Sequence, residues 1–500
     1  MVDALKDRLS DAVRDPWQMA ALAILGSAVL AVAILVMPLS VGAGLAGGLL
    51  FVVVMAQNPD LMLALIILMT PFQSKLPEHL NLGGGLNAMN LAMFFMLGLW
   101  LLRKHNGRFE EIRNNPMTWV FLSFYLMIFL SILRSVHWMG WGIVPQLINP
   151  AKRWILPTLM FYPIAVSKYD EKKLRWLVLA IGLAVLLMAT DSLKQFHSMG
   201  FSHYSDDARM GGPFGKGGEN DLAAFFVYYF PLLAATAFFD KNFVRRVYLY
   251  GVVLLSFVAI LLTYSRGAYL GAVAALIFLG VTKKRGWLIV AIVLALSYRF
   301  WVPASVTQRV EMTEQHMVIE EPGEIVVPPT AIENNFEKST ALRITIWKGA
   351  LKMIRDYPIE GFGFQMFERL MMRYTEIAYP MDTHNMYLRT AVEHGLPGLG
   401  IFLLLWIVPF VTALRFYGKA TLPLSRGVAL GVVAGILGIA IVNLWGSRFF
   451  REELVGLYWI MLGILYRLKT IESRELSVAR ETSVLHRENT FNLLEANHEN

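Results

Sequence analysis

Val247 to Val281 reads VYLYGVVLLSFVAILLTYSRGAYLGAVAALIFLGV, and Arg266 is its one charged side chain. The halves 247–264 and 268–281 read as apolar spans joined by the tight Ser265-Arg266-Gly267 turn, the pattern of helices that have a bilayer for solvent. The pattern recurs along the chain. Further runs lie at 17–37, 40–56, 61–72, 88–102, 117–133, 155–166, 174–190, 221–239, 287–301, 396–416, 428–445 and 454–468. That makes fourteen. Since 61–72 and 155–166 are short enough to be tilted or re-entrant, twelve to fourteen transmembrane helices are expected. The run at 17–37 is too long for a signal-peptide core and reads as an uncleaved first span.

Composition agrees. The chain of 500 residues is 56% hydrophobic and 16% charged, with a mean hydropathy of +0.51. The expected class is an all-α polytopic integral membrane protein. Cysteine is absent, which excludes disulfides and thiolate metal sites. The net charge of +8 is best read by position. Basic residues gather at 103–113, 168–175, 241–246, 283–285 and 419–426, which puts those connections and both termini in the cytoplasm. Arg134, Lys152, Arg153, Arg448 and Arg451 break the rule. No basic block is interleaved with aromatics, so nucleic acid is not an expected partner.

This topology puts 191–220, the Ser265–Gly267 turn and 302–395 outside. The last is a large periplasmic loop. Its first part is acidic and proline-rich (Glu311, Glu314, Glu320, Glu321, Pro322, Glu324) and reads as irregular. The domain picture is one membrane domain over 1–468 that includes the loop, then a partly disordered cytoplasmic tail over 469–500.

Two amphipathic helices are expected in the loop's second part. In Ala341–Arg355, Trp347, Ala350, Leu351 and Ile354 form an apolar stripe, and Lys348, Lys352 and Arg355 form a wet face. Arg343 falls inside the apolar stripe. In Met381–Gly395, Asp382 or Thr383 is an N-cap and Gly395 with Pro397 a stop. His384 shares a stripe with Leu388, Ala391 and Val392, while Arg389 and Glu393 pair on the wet side. An arginine can snorkel and a core histidine can be satisfied locally; alternatively, both point at something that needs them.

Arg266, at a span boundary outside, goes against the charge bias, and boundary charges often mark a site. Two fixed guanidiniums suit a diphosphate, because their planar forks pair bidentately with phosphate oxygens. A histidine near a helix N-terminus is expected to be neutral and so able to serve as a base. The Gly-rich stretch from Asp206 to Asp221 could cradle an anion or simply join spans. No HExxH, Walker-type or GxSxG motif occurs. Asp206-Asp207 reads as a solvated turn, so no metal site is expected.

Together these residues resemble the O-antigen ligase and polymerase family of bacterial envelope enzymes. His384-Asn385, nine further residues and Gly395 look like the family's marker. Gly212-Pro213-Phe214 with Asn220-Asp221, Ser265-Arg266-Gly267, and Arg343 and Trp347 leading to Tyr357–Gly363 look like family segments, in order from Arg209 to Phe402. The resemblance implies a metal-independent, inverting glycosyltransferase without a cofactor, on the periplasmic face of the inner membrane. Its donor would be an undecaprenyl-diphosphate-linked glycan. Its acceptor would be the lipid A core in a ligase, a growing polysaccharide in a polymerase, or a protein hydroxyl in an O-oligosaccharyltransferase. Carried over by motif, Arg266 and Arg343 would hold the diphosphate and His384 would orient or deprotonate the acceptor. Arg209, Asn220 and Asn385 would be substrate-binding residues.

Two readings from other classes compete. Many spans and buried arginines would also suit an anion or inorganic-carbon transporter, whose polar groups belong near the bilayer midplane. A scaffold would explain the apolar mass but not Arg343 and His384. Convergence of the polar groups at one end of the bundle favours the enzyme.

Overall fold

The structure, a computed structural model, describes residues 54, 56–75, 87–103, 107–199, 209–283 and 338–498. The spans expected at 17–37 and 287–301, almost all of that at 40–56, the acidic half of the loop, and Asp206-Asp207 lie outside these residues. The principal helices are α1 Pro59–Met69, α2 Ala88–Leu102, α3 Pro116–Met139, α4 Val144–Leu159, α5 Glu171–Met199, α6 Glu219–Phe239, α7 Phe243–Leu262, α8 Arg266–Lys283, α9 Lys338–Asp356, α10 Met386–Tyr417, α11 Pro423–Val442 and α12 Glu452–His498. Among the described residues, α3, α5, α6, α7, α10, α11 and α12 are long and apolar enough to cross a membrane, and α2 and α8 are shorter apolar helices. The protein is thus an all-α polytopic membrane protein.

Two expected spans are not full spans. The run at 61–72 becomes α1, 11 residues long, and passes into a 3₁₀ turn at Thr70–Lys75. The run at 155–166 is split between the end of α4, which has Pro150 and Pro157 inside it, and a four-residue helix at Tyr162–Ala165. Each proline removes a backbone donor and crowds the preceding turn. The tail, expected to be partly disordered, continues α12 to His498.

The centre of the bundle is the antiparallel pair α6 and α11. Glycine on α11 sets their spacing. A Cβ at Gly431 would stand 2.5 Å from Leu232 Cα, and one at Gly427 2.7 Å from Thr236 Cα. Where lipid gives helices no hydrophobic reason to associate, such close backbone approach supplies the packing. The same device seats α8, where a Cβ at Gly271 would meet Val442 Cγ2 at 2.7 Å. These contacts bring the start of α6, the start of α8 and the end of α11 to one end of the bundle.

The second amphipathic segment is the short first helix of α10, and as expected it stops at Gly395, whose φ of +71° separates it from the longer apolar helix that follows. The break orphans helix carbonyls, and the Gly361–Gly363 segment takes them: Phe362 N donates to Val392 O (2.8 Å) and Gly363 N to Glu393 O (2.9 Å). Gly361 must be glycine here, because its φ is +65° and a Cβ would lie 2.6 Å from Gly395 N. The first amphipathic helix is α9. Lys348, Lys352 and Arg355 are exposed as expected, but Leu351, assigned to the apolar stripe, is 57% exposed. α9 rests against α10.

Candidate active site

The cap of α10 fixes the site. Asn385 is the N-cap, and its Oδ1 accepts from Tyr387 N and Leu388 N, both at 3.0 Å. His384 therefore precedes the helix and lies off the stripe of Leu388, Ala391 and Val392 expected from its spacing. It adopts a left-handed backbone, φ +49°. Among the described residues only Tyr264, Gln365 and His384 do so without being glycine. Tyr264 stands two residues before Arg266, and Gln365 accepts from Arg389 Nη2 at 3.0 Å. Backbone held in sparsely populated regions tends to gather at functional sites.

Asp382 holds His384 in place. Its Oδ2 accepts from His384 N at 3.0 Å and lies 3.9 Å from His384 Nδ1, while its Oδ1 pairs with Arg389 Nη1 at 2.8 Å. Arg389 also pairs with Glu393 at 3.2 Å and Glu368 at 3.4 Å. The Arg389–Glu393 pair sits inside the protein rather than on a wet face, with side-chain exposures of 12% and 0%. A charge so buried is stable only when surrounded by partners. Thr383 is tied in from both sides: Trp347 Nε1 of α9 donates to its carbonyl (2.9 Å), and its hydroxyl meets Ser447 Oγ at 2.8 Å.

The opposite wall is the turn between α11 and α12. Asn443, fully buried, organises it: its carbonyl accepts from Met386 N (2.9 Å), its Oδ1 from Arg448 N (3.2 Å), and its amide donates to Tyr228 Oη (2.7 Å). Arg448 folds over Gly446, where a Cβ would collide with its guanidinium, and pairs with Asp221 at 2.9 Å. Arg451 pairs with the same carboxylate and lies over the Phe214 ring.

The expected residues converge here in part. Arg343, Arg448, Asp382 and Asp221 all act electrostatically on the His384 imidazole. Burial lowers its pKa below the ordinary value; Asp382 opposes the shift, Arg343 and Arg448 add to it, and Asp221 opposes it again. Burial alone would raise the Asp382 carboxyl, but Arg389, His384 and the hydrogen bonds it accepts hold it below the ordinary carboxylate value. Arg266 opens α8, next to Gly267, which packs on Trp445 of the same turn. Arg209 joins the rim by donating from Nε to Thr263 O (3.2 Å) and from Nη2 to Asn220 Oδ1 (3.1 Å). Asn220 and Asn385 thus spend their side-chain oxygens inside the protein.

From Gly212 to Gly218 the Gly-rich stretch spends its glycine N–H groups within the protein. The N–H groups of Gly212 and Gly217 are taken by Gln195 and Glu219 side chains, and those of Gly215 and Gly218 by carbonyls of the loop. Beside the site lies a cleft of about 200 Å³, walled by Arg153, Trp154, Gln365, Arg389, Ser447 and Arg451.

Asp221, Asp382 and Arg448 were not among the residues singled out for chemistry. Arg448 and Arg451 did leave a signal, because both are basic residues that break the expected loop bias. Asp382 was legible only as a cap.

Residues 251–403 match the family model described as O-antigen ligase. No curated protein matches the chain. The matched segment starts inside α7, contains Arg266, Arg343 and His384, and ends in α10 beyond its break at Gly395. With helices that suit a bilayer and these residues in the matched order, the match supports the expected likeness to the O-antigen ligase and polymerase family over residues 251–403.

Proposed function

We propose that the protein transfers a glycan from an undecaprenyl-diphosphate carrier to an acceptor hydroxyl at the periplasmic face of a bacterial inner membrane. The acceptor oxygen attacks the anomeric carbon from the face opposite the diphosphate. The bond from that carbon to the diphosphate oxygen breaks, the carrier diphosphate leaves with the electron pair, and the configuration inverts. His384 accepts the hydroxyl proton as the new bond forms. Arg343 and Arg266 stabilise the charge that grows on the leaving diphosphate. The protein's own cations fill the role, so the transfer needs neither cofactor nor metal. In this reading burial, with Arg343 and Arg448, keeps the imidazole neutral.

One observation carries the reading. A half-buried imidazole with a lowered pKa is braced by Asp382 and acted on by Arg343 and Arg448 at one end of an apolar bundle. A transporter would place its polar groups near the bilayer midplane, whereas Asp221, Arg266, Asp382, His384 and Arg448 occupy loops and helix ends.

The test is transfer by purified protein in nanodiscs with an undecaprenyl-diphosphate glycan, EDTA, and a panel of lipid A core, polysaccharide repeat and serine peptide acceptors. Transfer to one acceptor that survives EDTA and is lost in His384→Ala, Arg343→Ala and Arg266→Ala is expected, and that acceptor names the subclass. Undiminished transfer by the three variants would sink the assignment, and anion uptake by proteoliposomes without transfer would support the transporter.

A further inference from the structure

Beyond its break at Gly395, α10 runs on to Tyr417, roughly 33 Å at 1.5 Å per residue. At its far end from His384, the bundle opens into a groove between α10 and α12, bounded also by Pro116 at the start of α3. Its volume of about 590 Å³ falls within the range of roughly 300–1,000 Å³ usual for small-molecule sites. Ile407, Val408, Val411 and Phe416 make an apolar wall, and Arg415, Lys419 and Lys469 stand at the rim.

All three rim cations are exposed. Among the described residues none of them forms an ion pair, and Lys419 stands close enough to Lys469 for the two like charges to act on each other. The one carboxylate in the groove does not relieve them. Glu472, only 3% exposed, accepts from Thr421 N (2.7 Å), Thr421 Oγ1 (3.0 Å) and Leu422 N (3.2 Å), and so is committed to the start of α11. Three unpaired cations around one groove, whose single carboxylate is committed elsewhere, form a site for a foreign anion. The apolar wall below them makes a free ion a poor fit.

We infer that this groove binds an anionic phospholipid, with its phosphodiester at Arg415, Lys419 and Lys469 and the upper acyl chain against Val408, Val411 and Phe416. The groove lies where the apolar part of α10 gives way to charge, the level at which headgroups lie. Basic pockets between membrane helices are suited to such headgroups. This site is independent of the transfer reaction.

The experiment is native mass spectrometry of delipidated full-length protein with phosphatidylglycerol, phosphatidylcholine or inorganic phosphate. Wild type is expected to retain phosphatidylglycerol and neither of the others. The Arg415→Gln, Lys419→Gln, Lys469→Gln triple variant should bind it on the order of a hundredfold more weakly, at about fivefold per cation. Val411→Trp, which fills the apolar wall and leaves every charge in place, should lose it as well. Equal retention of phosphatidylglycerol by wild type and the triple variant would overturn the proposal, as would equal retention of phosphatidylcholine. Binding of inorganic phosphate as tight as that of the lipid, or undiminished binding by Val411→Trp, would mean that the site takes the free anion and would overturn the lipid assignment.

Discussion

The two ends of α10 both carry clustered cations, and they are built in opposite ways. At the His384 end every pairing is internal. Arg389 is held by Asp382, Glu368 and Glu393, and Arg448 shares Asp221 with Arg451. At the far end Arg415, Lys419 and Lys469 stand exposed, and among the described residues none of them forms an ion pair. The contrast separates two uses of positive charge. A group that must hold the catalytic histidine and its bracing carboxylate in place has to be aimed before the reaction, so it is wired into a network that resists reorientation. A group that only holds a headgroup can stay mobile, because the ligand supplies the missing charge.

The largest expected effect tests that division directly. His384→Ala and Arg343→Ala should each cut the transfer rate by about 10²–10⁴-fold while the unfolding midpoint stays near that of wild type. The far-end triple variant should keep its rate in the same detergent. Comparable losses of rate at both ends would erase the distinction.

The next effect falls on stability. Glu393→Leu leaves Arg389 without its most deeply buried counter-ion, and breaking a buried pair typically costs about 3–5 kcal/mol. Arg389→Met with Glu393→Leu removes both charges, and part of the loss should return. Transfer should not return with it, because Asp382 would have lost Arg389. Lys419→Met at the far end should move stability by no more than about 0.5 kcal/mol. Thermal unfolding of the four proteins beside their transfer rates decides the matter. Asp221→Asn should come between these, with a cost of about 1–3 kcal/mol, because it leaves the buried Arg448 without its ion pair.

Much of this was legible in the sequence. Apolar run length gave the fold class, and the helix of Arg343 and the break at Gly395 followed from periodicity and Gly-Pro punctuation. What periodicity could not show was where α10 begins. Asp382, Thr383 and Asn385 can all cap a helix, and the choice of Asn385 moves His384 from a helical stripe into a left-handed turn. Nor could it show that Arg389 and Glu393 are buried. An i,i+4 pair looks the same on a wet face as under a loop, and here the Gly361–Gly363 segment covers it. Arg448 was hidden for a third reason: its partners Asp221 and Asn443 come from other helices, and only the glycine-set packing of α6 on α11 brings them together.

The smallest expected effect concerns pH, and it probes the wiring most finely. The His384 imidazole has a pKa below the ordinary value near 6.5. In the unfolded chain it takes up a proton as pH falls through 6.5, whereas in the folded protein it stays neutral until a lower pH. Transfer should therefore hold steady as pH drops through 6.5 and decline only below it. In that same window, from 6.5 down to the folded value, the unfolded chain binds more protons, so His384's contribution to folding stability falls as pH falls. Arg448 pushes the imidazole toward its neutral form and Asp382 toward its charged form. Arg448→Gln should therefore shift the acid limb of the rate profile upward and Asp382→Asn shift it downward, each by about one pH unit or less. The far-end triple variant should leave the limb where it was. A limb that stays fixed in Arg448→Gln would mean that the turn between α11 and α12 does not tune the imidazole, whatever it does for packing.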